Sequence, residues 1–363
     1  MIYILNFLVV LLYFGLFRFL LPKRKAELLF VLTFAIHAIL FRALAYPFDF
    51  VDTSNYAKAY QNIFSYDFYK AVFMKNRYTE WGRGYVAVNW LLSRVSRDYM
   101  LMFITLSVVT VGSTIWFYAK TSYSILLTVL LYLAYPTLYL MGFAVLRQHL
   151  AAAVVLIALY HIRNYKISVP LALLAPLLHA SGIVLLPFFL WRKINFKRLA
   201  SVEMLAFTVV AVVVMRLSIG YLMNVAGIFS GGRNASFGSQ SVGTNIVPLA
   251  IIGILMVMAV ACRLFNKCSG RDYEILNFMA YGFAISVFGL GLYGAGRLTL
   301  FFLYVVPVVI TFFNRYSNSM RMVNNLCIAL MFAITARQIY YLHSSWIKDY
   351  NYKFYWEMPR KFK

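Results

Sequence analysis

Acidic residues are scarce in this chain. Only 11 of its 363 residues are Asp or Glu, against 34 Lys and Arg, and charged residues make up just 12% of the total. A soluble domain carries about 25% charged residues, so a water-soluble enzyme is excluded. Cysteine is rarer still. Cys262, Cys268 and Cys327 form no metal-binding or redox pattern, and the first two flank a loop expected in the cytoplasm, where disulfides do not persist. The chain has no Walker A sequence, no Asp-x-Asp pair suited to a metal-bound nucleotide sugar, and no His/Cys metal spacing. Neither a metal nor a cofactor is expected.

What the chain has instead is apolar surface. Hydrophobic residues make up 63% of it, and the mean hydropathy is +0.76. Apolar runs near 20 residues recur along its length, each long enough to cross a hydrocarbon core of about 30 Å. The expected spans are 2–21, 26–45, 99–119, 123–140, 143–161, 199–219, 244–265, 273–292, 298–314 and 321–341. The fold class is therefore an all-α polytopic membrane protein of about ten transmembrane helices, read as a single integral domain over 1–363. The first run ends at Lys23-Arg24-Lys25 with no small-residue cleavage site, so it reads as a retained span.

A net charge of +23 invites a nucleic-acid reading. The basic residues, however, are scattered in short loops, with no continuous patch. Such loops fit a position beside anionic lipid, so membrane lipids are expected partners and nucleic acid is not.

The same basic loops set the topology. Lys23–Lys25, Arg163/Lys166, Arg192–Arg198, Lys267/Arg271 and Arg315/Arg321 all belong inside. This holds only if the segment 168–190, broken by Pro170, Pro176, Pro187 and the His179–Ser181 pair, is a re-entrant hairpin rather than a single crossing. The outer face then receives the polar, amphipathic loop 46–98, with a short helix near 84–94, together with the loop 220–243, Arg147, the Gly294–Arg297 turn and the aromatic tail 343–363.

Four clusters carry chemistry. Asp52, Tyr56 and Tyr60 recur every four residues, so on a helix they share a face. A carboxylate beside aromatic rings suits a sugar, and Trp81 extends the same composition; an N-cap with interfacial tyrosines is the plainer reading. Asp52 and Glu80 are both candidate general bases. Arg147-Gln148 stands at the outer end of an apolar span, where an arginine costs about 2.5–3.5 kcal/mol if it reaches the bilayer centre, and it offers a donor fork to phosphate. Snorkelling to the interface is the alternative. His149, two residues from Arg147, reads as packing. His179 lies in an apolar segment beside Ser181 and is either a base or a structural donor. Arg297 follows Gly294-Ala295-Gly296 at a helix start, an arrangement that fits an anion.

Taken in order, Asp52–Tyr56–Tyr60, Glu80 with Gly82–Tyr85, Arg147-Gln148 with Ala151, His179-Ala180-Ser181, Arg297 with Tyr304, and Trp346–Tyr350–Tyr355–Trp356 resemble the EpsG/Wzy-type family of bacterial polysaccharide polymerases. The resemblance runs from about residue 45 to 358 and departs in the tail, which reads Tyr355-Trp356-Glu357-Met358-Pro359. It implies a GT-C-like, metal-independent membrane glycosyltransferase of the bacterial cytoplasmic membrane, working at the outer face. Donor and acceptor would be oligosaccharide repeat units on undecaprenyl diphosphate, with a chain-length regulator protein as a further candidate partner. On this reading Arg147, Gln148 and Arg297 bind the diphosphate. Asp52, Glu80 or His179 takes the acceptor proton, and Tyr56, Tyr60 and Trp81 hold sugars. Two other readings stand beside it: a ligase that moves finished glycan from the same lipid, and a lipid-linked oligosaccharide transporter.

Overall fold

The computed structural model describes residues 2–45, 52–74, 81–135, 137–190, 246–288 and 296–316, with isolated positions at 210, 325, 329 and 333. Glu80, the loop 220–243 and the tail 343–363 lie outside these residues, as do the expected spans 199–219 and 321–341 apart from single positions. The described residues are helical with connecting turns. Three helical stretches among them are long and apolar enough to cross a membrane: Lys23–Ala43, Tyr99–Thr121 and Leu298–Tyr316. Several further apolar helices are shorter.

The chain divides into two compact units, Met1–Ile183 with Asn325–Lys363, and Val184–Asn324. In the first unit α1 (Ile2–Leu20) packs on α2 (Lys23–Ala43). Their contact is aromatic, with Phe14 and Tyr13 ring centroids 5.0 and 5.7 Å from that of Phe30. The other side of α1 exposes Leu8, Leu12, Leu16 and Phe19, as a lipid-facing helix does.

Three short helices follow: α3 (Thr53–Ile63), α4 (Phe68–Val72) and α5 (Arg83–Val95). They lead into α6 (Tyr99–Thr121) and α7 (Ile125–Ala134). The α6 helix tolerates its hydroxyls because they bond back to its own carbonyls: Thr110 donates to Leu106 O at 2.6 Å and Thr114 to Thr110 O at 2.8 Å. The α7 helix is ten residues long, shorter than the expected span 123–140. Tyr135 is extended and precedes Pro136, which disfavours helical geometry in the residue before it. A 3-10 turn at Leu140–Phe143 then resets the direction into α8 (Leu146–Tyr160).

The α8 helix is the centre of the unit, packed on both α6 and α9 (Tyr165–Leu178). Its run Ala151-Ala152-Ala153 is buried, and these small side chains let two neighbours approach at once. The α9 helix stops at His179, where the backbone turns extended (φ −151°, ψ 126°), and a 3-10 turn at Ala180–Leu185 follows. This turn doubles back tightly: a Cβ on Gly182 would lie 2.7 Å from the Ala175 carbonyl carbon.

In the second unit α10 (Leu186–Leu190) is followed by α11 (Ile246–Ala261), α12 (Leu264–Lys267), α13 (Gly270–Phe288), α14 (Gly296–Leu303) and α15 (Val306–Tyr316). Phe188, Phe278 and Phe302 knit α10, α13 and α14 together, with successive centroids 5.1 and 4.9 Å apart. Cys262 and Cys268 are free and buried. Burial, and behind it the Asp272 charge, pushes the Cys268 thiol up to about 12, with Lys267 opposing. A thiol in that state reacts slowly because the thiolate is the nucleophile. Maleimide at pH 8 is therefore expected to leave Cys268 unmodified in the folded protein and to label it after denaturation, read by peptide mass spectrometry.

Candidate functional site

The site starts from the way the outer loop is seated on the bundle. Gly82 adopts φ +94°, a conformation that L side chains rarely enter. A Cβ there would lie 2.7 Å from Leu177 O and 3.0 Å from Leu178 O. Two turns of sequence are thus pressed together: Trp81-Gly82 lies on the last residues of α9, directly before His179. From Gly82 onward α5 turns its Tyr85 inward, where the side chain is buried and its hydroxyl contacts Met102 Sδ at 3.7 Å. Burial pushes the Tyr85 phenol up, reinforced by the neighbouring Tyr56, while a hydrogen bond with Asn89 and the Arg147 charge act in the opposite sense.

Arg147 is the second residue of α8, and its guanidinium reaches this loop. Its Nε donates to the Tyr56 hydroxyl at 3.3 Å. Its Cζ lies 5.5 Å from the Trp81 ring centroid and 5.7 Å from that of Tyr56. The two aromatic rings are themselves edge-on at 5.2 Å. Arg147 is therefore held by an aromatic frame at the start of a helix, where the first-turn backbone N–H groups have no intrahelical partner and the dipole favours an anion.

Asp52 precedes α3 in the N-cap position, yet its side chain makes no capping hydrogen bond. The plain capping role is thus not the one it performs, and its half-buried carboxylate is not spent on the helix it opens. At the α9 break, His179 Nδ1 lies 2.6 Å from Ser181 Oγ and accepts the Ser181 backbone N–H at 3.3 Å. An Nδ1 that accepts from the backbone places the neutral ring's proton on Nε2.

Two further candidate residues are buried. Tyr60 shares the helical face of Tyr56 but is 0% exposed, and its hydroxyl donates to Ser96 O at 2.8 Å. Burial, followed by the Asp98 charge, pushes its phenol up to about 12, so it remains a donor. Tyr60 ties α3 to the loop before α6. Gln148, beside Arg147 on α8, is 2% exposed. Arg297 belongs to the other unit, as the second residue of α14.

The residue that sequence reasoning missed is Arg42. It is 4% exposed near the end of α2, and a Cβ on Gly142 would meet its Nη1 at 3.0 Å and His149 Nδ1 at 3.4 Å. The absence of a side chain at Gly142 therefore lets the guanidinium and the imidazole share one space. His149 is also within electrostatic range of His179. A cavity of about 10 Å³ beside Arg42, lined also by Thr53, Ser107 and Leu146, has room for about one water. The available signal was a charge inside an apolar run, the same signal that picked out Arg147.

A family model described as the EpsG family matches residues 28–354. The chain belongs to the EpsG family. The match takes in most of α2 and every described helix after it, and it makes the chain a polysaccharide-polymerase-type, multi-pass membrane protein. No curated protein and no solved structure matches it. Within this EpsG-family chain, Tyr56, Trp81, Gly82, Tyr85, Arg147 and His179 come together in one unit.

Proposed function

We propose that this protein lengthens polysaccharide at the outer face of the bacterial cytoplasmic membrane by joining oligosaccharide units carried on undecaprenyl diphosphate. The supporting observation is the setting of Arg147: a guanidinium fixed by the Tyr56 hydroxyl and the Trp81 ring, at the N-terminus of a buried helix. That arrangement suits a diphosphate beside a sugar, with the charge for the phosphate and the ring faces for the sugar.

In the reaction, an acceptor hydroxyl of one lipid-linked unit attacks the anomeric carbon of another. The bond from that carbon to the diphosphate oxygen breaks, and undecaprenyl diphosphate leaves with the electron pair. Arg147 stabilises the charge that develops on the leaving oxygen. The acceptor's proton passes to a carboxylate or imidazole. Asp52 is the strongest candidate because its carboxylate is not engaged in capping, while His179 Nδ1 already accepts from Ser181. Glu80 remains the alternative carboxylate. The half-buried Trp81 ring stacks on a sugar, with the buried Tyr56 behind it holding Arg147.

The test is the size of the surface glycan in a strain lacking the gene. Single units in place of the long-chain ladder, restored to full length by the intact gene, are expected. Loss of single units from their surface acceptor as well would instead identify a ligase. With purified protein in liposomes, lipid-linked oligosaccharide is expected to lengthen in steps of one repeat unit. A substrate that only crosses the bilayer would mark a transporter.

A further inference from the structure

Helices α3 to α5 carry a surface that the reaction does not use. The module has its own small core of Ile63, Ala71, Val72 and Val86, with Trp81 and Trp90 packed against it. Its outside is apolar too. Tyr69 is 62% exposed and Val95 78%, and Phe68, Phe73, Met74 and Leu91 are exposed as well. The rings form one patch: the Phe68 centroid lies 5.1 Å from Trp90 and 6.2 Å from Phe73, and Phe73 lies 5.7 Å from Tyr69. A contiguous apolar patch of this kind marks a contact surface.

Arginines rim the patch. Arg83 Cζ lies 5.7 Å from the Phe73 centroid, Arg94 4.3 Å from Trp90, and Arg97 3.7 Å from Phe64. The nearby acids are taken up at helix starts: Asp67 caps α4 and pairs with Lys70 at 3.4 Å, and Asp98 caps α6 by accepting the Met100 N–H at 2.9 Å. Arg83, Arg94, Arg97 and Lys70 outnumber them. The rim therefore keeps its positive charge. The chain itself supplies the position: α5 ends at Val95 and the membrane-length helix α6 begins at Tyr99. Four residues span at most about 14 Å, so the exposed Leu91–Val95 end of α5 stays beside the point where the chain enters the bilayer.

We infer that α3 to α5 form a peripheral membrane anchor, with Phe68, Tyr69, Phe73, Leu91 and Val95 lying in the headgroup layer of the bilayer that α6 crosses, and Arg83, Arg94 and Arg97 set against phospholipid phosphates. Aromatic rings with arginine neighbours favour this depth, because each has an apolar body and a polar or charged end. Leu91 and Val95 separate a lipid partner from a glycan, since aliphatic side chains have no π face on which a sugar ring stacks. This anchor does not depend on the reaction proposed above.

The test uses the full chain, with its three cysteines replaced by Ser, in nanodiscs of phosphatidylcholine and phosphatidylglycerol. Single cysteines introduced as Tyr69→Cys, Val95→Cys or Asn55→Cys carry an environment-sensitive fluorophore, with exposed Asn55 on α3 as the reference. Lipids bearing a nitroxide near the headgroup are expected to quench positions 69 and 95 several-fold more than position 55. Equal quenching at all three overturns the anchor. So does a probe at 69 and 95 shielded from both iodide and nitroxide lipid, which would mean that protein covers the patch. The unmodified chain gives a second reading through an apolar photoactivated label dissolved in the nanodisc lipid. Adducts on peptides covering 66–74 and 88–97 support the anchor, and adducts confined to α1, α2 and α6 reject it.

Discussion

Replacing Arg147 by Ala is expected to collapse the long-chain glycan ladder to single units while leaving the amount of protein in the membrane unchanged. The two halves of that result have separate causes. Removing a preorganised charge from a developing anion costs about 100- to 1,000-fold in rate, enough to stop chain growth on the time scale of cell division. The structural loss is small by comparison. It amounts to a hydrogen bond to the Tyr56 hydroxyl, worth about 1 kcal/mol, and ring contacts worth about 0.5–1 kcal/mol. The bundle loses no packing at α8 beyond these contacts, since the helix is buried through other residues, Leu146, Gln148 to Leu156, Ala158 and Leu159. Arg147→Lys is expected to fall between wild type and Ala, because a lysine keeps the charge but cannot reproduce the planar contact with Trp81. Tyr56→Phe keeps the ring and removes only the hydroxyl that accepts from Nε, so shorter chains rather than none are expected. A full-length ladder from the Ala variant at normal abundance would end the assignment of Arg147 to the leaving group.

Much of this arrangement is legible in the sequence, and what is hidden is hidden for physical reasons. Helical class and membrane environment follow from apolar runs. The amphipathic helix expected near 84–94 is α5, Arg83–Val95, because a period of 3.6 survives in a polar context. The α9 break at His179 is marked by the prolines around it and by the polar pair itself. Hydropathy fails where backbone geometry decides. It counts 123–140 as one apolar run, yet Pro136 ends α7 at Ala134 and the chain turns through Leu140–Phe143. Spacing fails where cover decides: Tyr56 and Tyr60 lie on one helical face, but only Tyr56 meets Arg147, while Tyr60 is closed over by the chain at Ser96. Arg42 escapes notice because a basic residue near the end of a span reads as a loop charge until its burial against Gly142 and His149 is visible. Sequence order, moreover, says nothing of which residues meet. Gly82 and Leu178 are far apart in the chain and adjacent in the fold.

Gly82→Ala is expected to have the second large effect, of a different kind. Alanine has to adopt φ +94° there, a strain of about 1–3 kcal/mol, and its Cβ would stand 2.7 and 3.0 Å from the Leu177 and Leu178 carbonyl oxygens. Those are backbone atoms at the end of a packed helix, and no side-chain rotation relieves the contact. The loop must lift, which takes Trp81 away from Arg147 and uncovers the His179 break. The rest of the unit is held by α2, α6, α8 and α9, so the protein is expected to remain in the membrane with faster hydrogen exchange over 53–97 and a lost or shortened ladder. Two further glycines calibrate the result. At Gly84 a Cβ would meet Leu177 Cβ and O at 3.0 Å without a positive φ, so Gly84→Ala is expected to give an intermediate loss. At Gly112, within α6, nothing lies within 4 Å, and Gly112→Ala is expected to be neutral or stabilising by up to about 1 kcal/mol from helix propensity. If Gly82→Ala behaved like Gly112→Ala in both exchange and glycan length, the seat of the Trp81 loop on α9 would not be what assembles this site.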